Sequence, residues 1–133
     1  MTIYALSSGP GLSGIAVIRI SGPNTKKVLK NMTFLPIPKP KVASLRKFKN
    51  PETNELIDEG ILLWFPSPES YTGEDMAELH VHGSKAVIEA INLCISKING
   101  CRLAEPGEFT KIAFQNGKIN LLKAESISDL ISS

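Results

Sequence analysis

The chain has 133 residues, 42% of them hydrophobic and 21% charged, and a net charge of +2. This length and composition are ordinary for one soluble globular domain that buries a real core. No apolar run approaches ~18 residues, which excludes a membrane-spanning helix, and residues 1–6 lack the features of a secretory or organelle-targeting leader, which predicts a cytoplasmic protein.

The charge is unevenly distributed along the chain. Residues 1–50 carry nine basic groups and no acid, whereas residues 51–133 carry six basic groups and all thirteen acids. Eight of the nine basic groups lie within 26–49, and such a patch could bind an RNA backbone by releasing counterions. A solvated helix face followed by a charged loop is the simpler interpretation of the same residues.

The first half of the chain is rich in strand patterns. The predicted elements are, in order, a strand at 2–6, a glycine-rich loop at 7–14, a strand at 15–20, a helix at 24–31, an extended connector at 35–40, a strand at 42–48 and a returning strand at 57–65. The strand at 15–20 is apolar at both faces, which predicts a central strand covered on two sides. The run 61–65 is predicted to be the buried core of the hairpin.

Arg19 is the one charged residue of the strand at 15–20. A guanidinium in that setting keeps its proton, so it needs a carboxylate, a phosphate or carbonyl groups to offset desolvation. One interpretation is structural and pairs Arg19 with Glu78 or Asp75 inside the sheet. The other is functional and lets its five-donor fork reach a ligand.

The stretch 71–83 holds both histidines of the chain and ends in a strand pattern at 76–82. Alternate side chains of a strand point to opposite faces, so the apolar residues of this strand share one face while Glu78, His80 and His82 share the other. Gly83 ends the strand, and Ser84 is positioned to cap a helix that runs to about residue 98.

Three interpretations of the polar face stay open. It is a wet strand face, or a metal site of a hydrolase that uses Glu78, His80 and His82, or a ligand pocket in which Glu78 accepts hydrogen bonds from adjacent N–H donors. A metal lacks a third strong ligand, because no other histidine exists and the two cysteines lie in or after the following helix. We therefore predict no metal.

The remaining elements are an edge strand at 101–104, a helix that opens at 106–109 and closes at 116–117, and a last helix beginning near 120. Because the last helix is still amphipathic where the sequence stops, we expect more chain to follow it. The element order contains few long crossovers, which predicts an α+β fold with helices packed on a mixed β-sheet. No nucleophile–base pair or pair of catalytic acids is visible, so we assign no catalytic residue.

Five passages together give the chain a resemblance to a known family. They are 2–6 with the following glycine loop, Ile18-Arg19-Ile20-Ser21-Gly22, Trp64-Phe65-Pro66 with Ser70-Tyr71-Thr72-Gly73-Glu74-Asp75, the strand from Glu78 to Gly83, and Pro106-Gly107-Glu108-Phe109-Thr110 through Phe114-Gln115-Asn116-Gly117-Lys118. In this order they resemble the N-terminal domain of the MnmE (TrmE) tRNA-modification GTPases, and the match spans essentially the whole chain.

The resemblance implies an activity for the full-length protein, a GTP hydrolase that works with a flavin-dependent partner to add an aminomethyl or carboxymethylaminomethyl group to the wobble uridine of tRNA. GTP, magnesium and potassium are implied only for a G domain, whose motifs are absent here. Residues 1–118 correspond to the tetrahydrofolate-binding and dimerisation domain, which is similar to that of the aminomethyltransferases. Residues 119–133 correspond to the start of a helical domain.

By the same resemblance, a homodimer is expected and the folate-contacting residues are Arg19, Glu78 and Lys118. The ligand is expected to be 5-formyl-tetrahydrofolate or methylene-tetrahydrofolate. A reduced pterin presents a 2-amino group beside a ring N–H, and a carboxylate such as Glu78 can accept both in parallel. Lys118 has a second interpretation as a cation at the C-terminus of a helix.

Overall fold

A computed structural model of the chain describes residues 1–7 and 14–120. Within them lie six strands and three helices: β1 (Thr2–Leu6), β2 (Ile15–Ser21), α1 (Thr25–Thr33), β3 (Ser44–Lys49), β4 (Leu56–Phe65), β5 (Met76–His82), α2 (Lys85–Ser96), β6 (Cys101–Leu103) and α3 (Glu108–Gln115). The α+β prediction is confirmed. Most of the glycine-rich loop, the last predicted helix and nearly all of the predicted domain 119–133 lie outside the described residues.

The six strands form one mixed sheet in the order β3-β4-β5-β2-β1-β6. All neighbours are antiparallel except β1 and β6, which pair in parallel after the crossover through α2. The strands β2 and β5 are therefore central, and β3 and β6 are edges. Among the described residues no helix is long and apolar enough to cross a membrane.

The hydrophobic core lies between the sheet and the helices α1 and α2. Ile18, Leu79 and Leu62 stand side by side across β2, β5 and β4, and each is buried. Val28 of α1 and Ile91 of α2 belong to the same buried cluster. Burying each such side chain contributes roughly 1.5–3 kcal/mol, so this layer holds the sheet and the helices together.

The opposite face of the sheet is less covered, which corrects two predictions. Strand β2 alternates between buried and partly exposed residues rather than being buried on both sides, and Ile15 is 60% exposed. In the run 61–65 only Leu62 and Trp64 are buried. The apolar composition of these strands was a misleading sign of burial, because α1 and α2 pack on the other face, whereas among the described residues α3 approaches this face through Phe109 at Arg19.

Short-range features set the ends of the central strand β5. The Ser84 side chain accepts a hydrogen bond from the Val87 N–H at 3.1 Å, so Ser84 is the N-cap of α2, as predicted.

On the neighbouring strand β4, a Cβ added at Gly60 would lie 2.0 Å from the His80 carbonyl oxygen. Glycine at that position permits β4 to approach β5 closely.

Candidate functional site

Arg19 and Glu78 are cross-strand neighbours on the less covered face of the sheet. The register of β2 and β5 places them opposite each other, and Arg19 Nη2 lies 3.8 Å from Glu78 Oε2. Their side chains are 29% and 22% exposed. One contact at 3.8 Å is longer than a hydrogen bond, so the pair attracts without the closed bidentate geometry that would use up both groups.

Two aromatic rings hold the Arg19 guanidinium in place. Its central carbon lies 5.3 Å from the centre of the Tyr71 ring and 5.6 Å from that of Phe109. Both distances are within the range of cation–π attraction. The Arg19 Nε donor is buried and has no hydrogen-bond partner among the described residues. The guanidinium therefore keeps unused donors while its position is fixed.

Glu78 has a second neighbour on its own strand. His80 Nε2 lies 3.0 Å from Glu78 Oε1, because residues two apart on a strand share a face. An ionised carboxylate has about four lone-pair positions, so one bond to an imidazole leaves capacity for further donors. Asp75, the other candidate partner for Arg19, instead accepts a hydrogen bond from the Ser67 N–H at 2.8 Å.

His82 belongs to a separate pair. Its Nδ1 lies 2.8 Å from Asp58 Oδ1, and its backbone N–H donates to Asp58 Oδ2 at 2.8 Å. Burial is the largest influence and raises the pKa of Asp58, but hydrogen bonds from the His82 backbone and side chain and from the Glu59 backbone together hold that pKa below its ordinary value. The two histidines thus serve different carboxylates, and the described residues contain no group of three His, Cys, Asp or Glu side chains arranged for a metal ion.

A cavity of about 380 Å³ adjoins Arg19. It is lined by the end of β1, by the connection 104–107 and by Phe109 and Thr110 of α3. Cavities of this size accommodate small organic ligands. A larger cavity of about 600 Å³ lies between α1, the β3–β4 turn and α2, away from the Arg19–Glu78 pair.

An ion pair fixes the start of α3 and therefore the position of Phe109. Both terminal guanidinium nitrogens of Arg102, Nη1 and Nη2, donate to the Glu108 carboxylate, and the Glu105 N–H donates to the same group at 2.9 Å. The Arg102 hydrogen bonds outweigh burial and hold the pKa of Glu108 below its ordinary value. Two parallel N–H···O bonds of this kind are geometrically specific.

The loop 66–75 positions Tyr71 against Arg19. Ser21 of β2 hydrogen-bonds the side chains of Thr72 at 2.8 Å and of Glu74 at 2.9 Å. The Tyr71 hydroxyl lies 3.1 Å from the hydroxyl of Thr110 on α3, so this hydrogen bond links the loop that carries Tyr71 to the helix that carries Phe109.

Lys118 contacts the same loop from the far end of α3. Its Nζ donates to the Pro68 carbonyl at 2.9 Å, and its side chain is exposed. Asn116 donates to the Thr72 carbonyl at 2.8 Å beside it. The structure therefore brings Arg19 and Glu78 together and places Lys118 on the loop that carries Tyr71. Of these three residues Arg19 lines the 380 Å³ cavity, and Glu78 and Lys118 lie outside its lining.

Sequence reasoning missed the two aromatic residues and the bond from His80. Tyr71 and Phe109 lie within passages that carried the family resemblance, so their place in those motifs was a usable signal. Their contact with Arg19 was not readable, because it depends on how the loop 66–75 and α3 fold over the sheet.

Comparison with protein families identifies residues 2–118 as a match to the GTP-binding protein TrmE N-terminus. Curated relatives agree along nearly the whole chain. A tRNA modification GTPase MnmE from Pelagibacter ubique (strain HTCC1062) is 71% identical over 132 residues, which cover 99% of this chain and 30% of that protein.

More distant relatives cover the same region. A tRNA modification GTPase MnmE from Parvibaculum lavamentivorans is 47% identical over 130 residues, covering 98% of this chain and 30% of the relative. The mitochondrial tRNA modification GTPase gtpbp3 of Dictyostelium discoideum is 48% identical over 136 residues, which cover 98% of this chain and 27% of that relative. The chain thus spans less than a third of the length of these relatives.

Proposed function

The chain belongs to the family of the GTP-binding protein TrmE N-terminus, and from that premise we propose that it is the folate-binding, dimer-forming domain of a GTPase that modifies the wobble uridine of tRNA. In this proposal GTP hydrolysis, with its magnesium and potassium, and the work of a flavin-dependent partner belong to other parts of the assembly. This domain contributes a bound 5-formyl- or methylene-tetrahydrofolate.

The observation that carries the proposal is the incomplete pairing of Arg19 with Glu78. A carboxylate and a guanidinium only 3.8 Å apart, partly shielded from water, remain able to accept and donate hydrogen bonds. A structural ion pair would normally close into a bidentate arrangement, which satisfies both groups. The buried, unpartnered Arg19 Nε and the adjoining cavity point the same way.

The chemistry of a reduced pterin matches these groups. Its 2-amino group and neighbouring ring N–H form a pair of donors, for which the two oxygens of Glu78 are a complementary acceptor. The five N–H donors of Arg19 suit a ligand carbonyl or carboxylate, and the rings of Tyr71 and Phe109 offer apolar surface beside the cation. We assign Lys118 to the same site, with a positive charge that can turn from the Pro68 carbonyl toward an anionic part of the ligand.

Dimerisation is proposed for the less covered sheet face. A second copy placed there would bury Ile15 and the partly exposed Ile61 and Leu63, which otherwise contact water. Apolar area of this kind is a usual source of stability for homodimers. A cytoplasmic location stays a prediction from the sequence.

Isothermal titration of the chain with 5-formyl-tetrahydrofolate tests the proposed ligand. We expect Glu78→Gln to weaken binding at least about 100-fold, because two charge-assisted hydrogen bonds of about 1.5 kcal/mol each are lost. In addition, the NH2 group of the new amide faces an N–H donor of the pterin, and two donors cannot bond each other. Glu89→Gln on the exposed face of α2 is the matched control and should bind like the wild type. Equal affinity of the wild type and Glu78→Gln would overturn the role of Glu78, and no binding to the wild type would overturn the folate proposal.

A further inference from the structure

The end of α1 and the edge strand β3 form a surface that the proposed folate site does not use. We propose that this surface binds single-stranded RNA, with the Phe34 ring stacking on a base and Arg46, Lys47 and Lys49 contacting phosphates. The inference deepens the proposed function, on which it rests for the expectation that the RNA is a tRNA.

A cavity of about 350 Å³ marks this surface. It lies between the C-terminal end of α1 and the strand β3, and three of its lining residues are the cations Arg46, Lys47 and Lys49. Glu59 is the one acid that lines it. The cavity therefore has a net positive lining, which suits an anionic ligand.

Phe34 has an unusual conformation for an aromatic residue. It follows α1 at the C-cap with φ 57°, in the left-handed region that glycine and asparagine normally occupy. A bulky residue there is strained, and such strain is concentrated at functional sites. Phe34 is 51% exposed, so packing in the core does not account for its left-handed conformation.

Cations surround the exposed ring. Lys49 Nζ lies 5.9 Å from the centre of the Phe34 ring, within the range of cation–π attraction. The Arg46 Nη1 donates to the adjacent Leu45 carbonyl at 2.9 Å, while its buried Nε has no partner among the described residues. Proteins that bind single-stranded nucleic acids combine aromatic rings with positive charge, because every base has a face that stacks on a ring and every nucleotide carries a phosphate.

The basic surface continues along α1. Lys26 and Lys30 are exposed and four residues apart, so they lie on one face of α1 about 6 Å from each other, and the exposed Phe34 follows at the end of the helix. An extended strand that stacks on Phe34 can thus meet further cations along its backbone. Edge strands often carry lysines that block pairing with other sheets, which explains Lys47 but not an exposed, strained phenylalanine.

Binding of a fluorescein-labelled 12-nucleotide oligouridylate to the 133-residue chain, measured by anisotropy across a series of salt concentrations, tests the inference. The informative variant is Phe34→Asn, because asparagine tolerates the left-handed conformation. We expect its thermal stability to equal or exceed that of the wild type, while its RNA affinity falls between about 5-fold and 150-fold, the effect of losing one stacked base.

The double variant Lys47→Gln/Lys49→Gln should reduce the slope of log affinity against log salt by about 1.4, since each neutralised phosphate contributes about 0.7 on a single strand. The matched control is Lys85→Gln/Lys111→Gln, which removes the same charge from exposed lysines on α2 and α3 and should leave the slope nearer the wild-type value. Inorganic polyphosphate, which has no bases, should bind Phe34→Asn as well as it binds the wild type.

Unchanged RNA affinity in Phe34→Asn would overturn the stacking role, and equal losses in the two double variants would overturn the location of the phosphate contacts. Titration of the same variants with 5-formyl-tetrahydrofolate separates this inference from the proposed function. Folate binding should be unaffected at this distant surface, and a chain that binds folate but no oligouridylate at low salt would refute the RNA site alone.

Discussion

Arg19 shows how the fold defines the surroundings of a single side chain. Its charge in an apolar strand indicated a special role, but three neighbours determine its surroundings. Glu78 lies opposite it on the next strand, and the rings of Tyr71 and Phe109 both contact its guanidinium. The rings restrict the guanidinium without satisfying its donors. A lysine would keep the charge but lose the planar group that such rings hold, so this position distinguishes arginine from lysine.

Asp58 supports the site strand from the neighbouring strand β4. Its carboxylate accepts hydrogen bonds from the His82 backbone and imidazole. Burial raises its pKa, but these bonds and one from the Glu59 backbone together favour the ionised form more and lower that pKa. A carboxylate with a lowered folded-state pKa stabilises the protein above its ordinary pKa, and the stabilisation is lost as the pH falls through the folded value.

We therefore expect Asp58→Asn to reduce the free energy of unfolding by about 1.5 kcal/mol at pH 7, the contribution of a charge-assisted hydrogen bond. The difference from the wild type should shrink as the pH falls below about 4. Urea unfolding at a series of pH values measures it. A difference that stays constant between pH 7 and pH 3 would contradict the assigned cause.

At the scale of elements, the site depends on how closely strands approach and how helices begin. The strand β5 carries Glu78 and His80 between β2 and β4, and α2 starts directly after it at the Ser84 cap. The helix α3 carries Phe109, and its first turn is held by the pair Arg102–Glu108. Each element thus fixes one wall of the site by local bonds of its own.

Gly60 is the sharpest test of strand packing. A Cβ at this position would lie 2.0 Å from the His80 carbonyl oxygen, so Gly60→Ala must push β4 away from β5. We expect a loss of about 2 kcal/mol or more in stability, typical of overpacking against a rigid group, together with weaker folate binding because His80 lies beside Glu78.

Thermal unfolding and folate titration measure the two effects. The control is Gly14→Ala, where no described atom lies within 4 Å of the added carbon. If Gly60→Ala were as stable as the wild type, the close approach of β4 and β5 would not be a constraint.

At the scale of the whole molecule, the sheet has two unlike faces. The helices α1 and α2 cover one face with a hydrophobic core, whereas the other holds the Arg19–Glu78 pair beside partly exposed apolar residues. The basic residues of 26–49 lie apart from both, on α1, the following connector and the edge strand β3. The proposed ligand site and the proposed dimer surface therefore share one face of the sheet, where Leu63 pairs with Glu78, and the proposed RNA surface lies at the β3 edge.

The dimer proposal predicts that Ile15→Glu dissociates the protein, because a charge placed in an apolar interface is costly to bury. Light scattering at tens of micromolar should give the mass of a dimer for the wild type and of a monomer for the variant. Leu93→Glu, at an exposed leucine of α2 on the helix-covered side, is the matched control and should remain dimeric. A monomeric wild type at this concentration would refute the proposal.

The sequence by itself determined the elements and the residues at the centre of the site. Alternation of apolar and polar residues set β5 and its two faces, and glycine and serine marked where β5 ends and α2 begins, because these signals are local and short-range. The shared motifs also singled out Arg19, Glu78 and Lys118, and whether they bind folate stays a prediction.

The tertiary structure decided what surrounds these residues. Apolar composition could not tell that one face of β2 and β4 is only partly covered by the described residues, since an apolar strand has the same composition whether a helix or another molecule lies over it. Spacing placed His80 beside Glu78 on one strand face, but it could not reveal that Tyr71 and Phe109 meet on one guanidinium. Contacts between segments far apart in the chain depend on sheet register and loop paths, which only the folded molecule fixes.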